Sequence, residues 1–178
     1  MQSSMIASAA AGPFLAACAV LGFAGFAKMR RPGGAREAAS ALGLPASATA
    51  VRGLGVVEMA AAAAGIAFGG YAAIAVALVY AGLAVGAARL LVRSPGTNCG
   101  CLGGSDAPVS VSHVIVDGAA AVAALLAATG GSPLAAAGSG ITARITFLVA
   151  TGCCAWLGVQ LLDALPALNR AVRAGGTR

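Results

Sequence analysis

Between Arg52 and Arg89 the chain carries one charged side chain, Glu58, and the first charged side chain from the N-terminus is Lys28. Apolar stretches of this length constrain the fold more than any motif does. An α-helix rises about 1.5 Å per residue, so roughly 20 such residues cross the ~30 Å hydrocarbon core of a bilayer. Over all 178 residues, 60% are apolar and 9% charged, whereas soluble domains are about 25% charged. The expectation is an all-α integral membrane protein, a bundle of about four to five transmembrane helices.

Runs of apolar residues place candidate spans at 6–27, 54–70, 71–92, 109–129 and 143–165, within a single membrane domain covering 1–178. Gly69-Gly70 is the one break between the second and third spans, and two glycines can supply the positive φ of a tight helical hairpin. Residues 35–42 have helical propensity with charge on one side, which predicts a short interfacial helix in the first connection. Small residues at four-residue spacing, such as Gly82 and Gly86, let helices approach closely in lipid, although a high alanine content can also reflect genome composition. Trp156 falls within the fifth span, where packing is its expected role.

The net charge of +6 does not point to nucleic acid. Its cations stand at the edges of apolar runs and form no stripe with interleaved aromatics. Lys28, Arg30, Arg31, Arg36 and Arg52 separate the first two spans, Arg89 and Arg93 close the third, and Arg170, Arg173 and Arg178 follow the fifth. Only Arg144 falls on the other face. By the positive-inside rule the N-terminus is outside, and the C-terminus and the loop at 94–108 are cytoplasmic. The absence of a basic start argues against a cleaved signal peptide, and Leu15-Ala16-Ala17-Cys18 is read as a chance likeness to a lipoprotein box.

The loop at 94–108 holds Cys99-Gly100-Cys101. Two thiols one residue apart can close a small disulfide ring, with Gly100 supplying backbone freedom, and such a ring suits exchange better than bracing. The alternatives are an inert loop or capture of copper(I) or zinc by Cys99, Cys101 and His113. For the metal reading, a second Cys-x-Cys to complete the site is lacking. Cys18, Cys153 and Cys154 read as small buried hydrophobes or, alternatively, as an intramembrane relay for the loop pair.

Polar residues within spans need partners. Glu58, expected about one turn inside the second span, costs on the order of 3 kcal/mol if left ionised in lipid, and Lys28 is its natural partner. The pair is either a structural tether or part of a proton-transfer or ligand site. His113 and Asp117 stand four apart on one helix face, either as an acid/base pair or as interfacial and capping groups. Asp163 reads as interfacial. A quinone site needs no short motif, so that cofactor stays open.

Several of these residues together resemble the MauE (methylamine-utilisation) membrane proteins of the wider DoxX-like group. The resemblance rests on Ala24-Gly25-Phe26-Ala27-Lys28 with Arg31-Pro32-Gly33, on Leu42-Gly43-Leu44-Pro45, on Glu58, and on Asn98-Cys99-Gly100-Cys101-Leu102-Gly103, over roughly residues 10–130. Leu102 stands where the family has an aromatic. The resemblance implies a helical-bundle protein of the bacterial cell membrane that is associated with redox functions. Lys28, Glu58, Cys99 and Cys101 are its site residues. It further implies a thioredoxin-fold partner and a cysteine-containing client such as methylamine dehydrogenase. A non-catalytic assembly or chaperone subunit and a small-solute transporter are the competing readings.

Overall fold

The computed structural model describes residues 2–100, 108–130, 132–134 and 140–175. Cys101 and most of the 132–140 connection lie outside these, as does the chain end at 176–178. The described backbone forms six helices: α1 (Gln2–Arg30), α2 (Gly33–Ala41), α3 (Ala48–Phe68), α4 (Gly70–Arg93), α5 (Val111–Ala128) and α6 (Ile141–Gly175). All but α2 contain a stretch long and apolar enough to cross a membrane. Large apolar side chains such as Phe68, Tyr71, Leu78 and Val92 face outward, as expected where the surrounding solvent is lipid. The protein is an all-α, multi-pass membrane bundle.

Helices α1, α3, α4 and α5 close a ring in which each packs on the next, and α6 lies outside that ring, mainly against α1. The interior is filled by Phe14, Cys18 and Leu21 of α1, Ala62 of α3, Val76 and Tyr80 of α4, and Ala124 of α5. Burying such side chains does not drive association in lipid as it does in water, so close van der Waals fit carries the packing. The α3–α4 hairpin turns at Gly69 (φ 61°) and Gly70 (φ 49°), a left-handed backbone that glycine adopts without strain.

Helix α3 starts earlier than the apolar run suggests. The Ser47 hydroxyl accepts the Ala50 N–H at 3.0 Å, satisfying one donor that the first turn leaves unpaired. Glu58 therefore stands midway along α3, ten residues after Ala48, instead of one turn from a boundary near residue 54. Arg36 Nε donates to the Ala46 carbonyl at 2.8 Å, tying α2 to the linker that enters α3. A second apolar cluster caps this end of the bundle and joins Ala38 of α2, Ala87 and Leu90 of α4, Cys99 and Val109.

Candidate functional site

Helices α1 and α3 run antiparallel and touch backbone to backbone. A Cβ on Gly25 would lie 2.5 Å from the Gly55 carbonyl oxygen, and one on Gly55 would lie 2.6 Å from the Gly25 oxygen. Three residues beyond each glycine, Lys28 Nζ meets Glu58 Oε2 at 2.8 Å, with both side chains almost wholly buried. An ion pair this deep survives because each charge offsets the other's desolvation, whereas removing one partner leaves an uncompensated charge. The second carboxylate oxygen, Glu58 Oε1, is buried without a hydrogen-bond partner among the described residues.

The thiol loop lies over the same end. Cys99 is disulfide-bonded and about nine-tenths buried, packed on Ala38, Leu90 and Val109. Gly100 adopts φ 65°, and a Cβ there would meet the backbone of Gly34 and Ala35 at 2.5 Å. The loop thus rests on the N-terminal turn of α2, in a place and a conformation that only glycine fits. The loop is also tied to the start of α5: Asn98 pairs with Pro108, and Val109 N–H donates to the Thr97 carbonyl at 3.0 Å.

From that tie α5 carries His113 and Asp117 inward. His113 Nδ1 accepts the Ser110 N–H at 3.3 Å and lies 2.9 Å from the Ser110 hydroxyl. Accepting at Nδ1 assigns the proton of the neutral ring to Nε2. One turn on, Asp117 Oδ2 is buried without a hydrogen-bond partner among the described residues. Asp117 stands within electrostatic reach of both Lys28 and Glu58, so the bundle holds a connected group of polar side chains beneath the loop.

His113 and Asp117 also line an apolar cavity of about 260 Å³ bounded by α1, α4, α5 and α6. Tyr80 borders it as well, its hydroxyl donating to the Ala17 carbonyl at 2.7 Å. Sequence reasoning overlooked Tyr80, although a phenol in mid-span, between charges at Glu58 and Arg89, is itself a signal. It also overlooked Ser110 and the Gly34–Ala35 turn.

Two expectations change in the structure. Cys153 and Cys154 are exposed on the outer face of α6 and are free thiols, as is the buried Cys18. Trp156 is 62% exposed instead of packed. The reason is shared: α6 leans on one edge of the ring, so most of its circumference faces outward. Among the described residues no three of His, Cys, Asp and Glu are grouped as metal ligands; Cys101 lies outside them.

No curated protein and no solved structure matches the chain. Residues 5–130, which contain α2 to α5, all but the first three residues of α1 and every side chain discussed above outside α6, match the family described as Methylamine utilisation protein MauE. With well over half of its length in that match, the chain belongs to the MauE family of methylamine-utilisation membrane proteins.

Proposed function

We propose that this protein is a thiol-disulfide exchange factor of the bacterial plasma membrane that oxidises cysteine pairs on a client, with Cys99 and Cys101 as the exchanging sulfurs. The observation that carries this reading is the Cys99 disulfide in a loop resting on the first turn of α2. A client thiolate attacks one loop sulfur; the loop S–S bond breaks, a mixed disulfide forms, and the other loop sulfur leaves as a thiolate. A second client thiolate then breaks the mixed disulfide. The client departs with a new S–S bond, and the loop retains two electrons as a dithiol once protonated.

The leaving thiolate is stabilised by the positive end of α2, whose first N–H groups have no acceptor within the helix. Family membership supports a client in methylamine use, of which methylamine dehydrogenase is an example, and a thioredoxin-fold partner. The buried Lys28–Glu58 pair holds α1 and α3 in place beneath the loop, and His113 and Asp117 handle the protons that exchange releases.

Thiol trapping of the full-length protein in native membranes tests the reading. Maleimide mass shifts at Cys99 and Cys101 should appear after mild reduction and vanish on reoxidation, and Cys101→Ser should capture a client or partner as a mixed disulfide on Cys99. A loop pair that never changes state, with no trapped species, rules the function out.

A further inference from the structure

The chain has 11 Lys and Arg against 5 Asp and Glu, and one of those acids, Glu58, already holds Lys28 in the bundle interior. Most of its cations must therefore meet anions from outside the protein. We propose that Arg89 and Arg93 of α4 bind the phosphodiester of an anionic phospholipid, one of whose acyl chains lies on α4 along Val85 and Gly82 toward the bilayer centre.

The spacing builds the site. Val85, Ala88, Arg89, Val92 and Arg93 recur at intervals of three and four, so they share one face of α4. Together they bound an open recess of about 350 Å³. Because all five belong to one helix, the two long arginine side chains form its walls, and Val85, Ala88 and Val92 form its floor. The same face continues toward mid-membrane through Gly82, where an added Cβ would meet nothing within 4 Å, and the exposed Leu78. At its flank, Leu42 of α2 approaches Gly86. The face is cationic at the end nearest the thiol loop and apolar below, which is the profile of a phospholipid standing beside it.

Two cations one turn apart repel each other. Both arginines are exposed, and among the described residues no carboxylate pairs with either. The helix dipole favours a cation in the last turn, which accounts for Arg93, but Arg89 stands a turn deeper in an apolar span. An anion held between them removes the repulsion. Four residues advance the helix by about 6 Å, so both guanidinium groups can reach one phosphodiester, whose two free oxygens accept paired N–H donors. Other arginines on this side are engaged within the protein: Arg36 donates to the Ala46 carbonyl, and Arg30 lies 5.2 Å from the centre of the Phe26 ring.

The lipid must carry net negative charge, because a zwitterionic headgroup brings its own cation to the same place. Inorganic phosphate would satisfy the arginines but offers no chain to the apolar face beneath them. The site draws nothing from the thiol pair. Arg93 is, however, the last residue before the loop at 94–108, so the bound headgroup sets the depth at which that loop leaves the bilayer.

Native mass spectrometry of the full-length protein in a neutral detergent tests the assignment, with phosphatidylglycerol and phosphatidylcholine of identical acyl chains as probes. A single saturable phosphatidylglycerol adduct is expected, tighter than the phosphatidylcholine adduct by about tenfold or more, the scale of two arginines acting on one anionic headgroup. Arg89→Gln with Arg93→Gln should bring the two lipids level. Arg31→Gln with Arg52→Gln removes the same charge from the same end of the bundle and should leave the preference within about twofold of wild type, the range of ordinary surface changes. If the first double variant fails to insert, Arg89→Gln and Arg93→Gln taken singly, each keeping one cation at the helix end, should each lose roughly fivefold.

Equal binding of the two lipids to the wild type overturns the proposal. So does a loss in the Arg31 and Arg52 variant as large as in the Arg89 and Arg93 variant, which would mean that overall charge and not this recess attracts the lipid. Displacement of phosphatidylglycerol by its water-soluble headgroup, glycerophosphoglycerol, would make the site one for a free phosphate ester and overturn the lipid as its occupant.

Discussion

At the residue scale the Lys28–Glu58 pair sets the terms. Both partners are buried within a lipid-embedded bundle, so losing either should cost about 3–5 kcal/mol, while replacing both with apolar side chains of similar volume should recover most of that. Unfolding in mixed micelles should therefore find Lys28→Met and Glu58→Leu each strongly destabilised and the double variant much nearer to wild type. Additive losses would show that the two charges act independently. The need for a partner was legible in the sequence, because Glu58 is the lone charge in its run. Its depth was not: Arg52 looked like a membrane boundary, yet the Ser47 cap starts the helix before it.

At the element scale, α2 and the thiol loop are one unit joined at Gly100. An alanine there meets both a left-handed backbone, which costs about 1–2 kcal/mol for a residue with a Cβ, and the Gly34–Ala35 backbone. Gly100→Ala should slow exchange with oxidised glutathione about tenfold or more, since each ~1.4 kcal/mol is a decade in rate. Gly33→Ala, whose methyl would meet nothing, should stay within about twofold, in line with the ~0.5 kcal/mol of ordinary surface changes. Equal rates in the two variants would mean that loop docking does not matter for exchange. The Cys-Gly-Cys spacing flagged the loop from sequence, but its seat on α2 joins positions some 65 residues apart and has no local signature.

At the scale of the whole molecule, apolar run length was enough to read an all-helical membrane bundle, and Gly69-Gly70 was enough to read the hairpin between α3 and α4. The cavity was invisible in sequence because it is made largely of what alanine and glycine lack, gathered from four helices. The outward placement of Cys153, Cys154 and Trp156 was missed because a span's composition does not say how many neighbours its helix will have. Lys28, Arg30, Arg52, Arg89 and Arg93 lie on the helix ends nearest the thiol loop, and Arg144 lies near the opposite end, at the start of α6. The positive-inside rule predicts from this arrangement that the loop faces the cytoplasm. After reduction, a membrane-impermeant maleimide should label Cys99 and Cys101 in inverted vesicles and not in intact spheroplasts. The reverse pattern would turn the molecule over in the bilayer and move its client to the other compartment.

The contact between Gly25 and Gly55 makes the buried charges hostage to two hydrogen atoms. With backbones already at closest approach, a single methyl on either glycine wedges the helices apart. Lys28 and Glu58, one turn away, would then be separated without any change in their own chemistry.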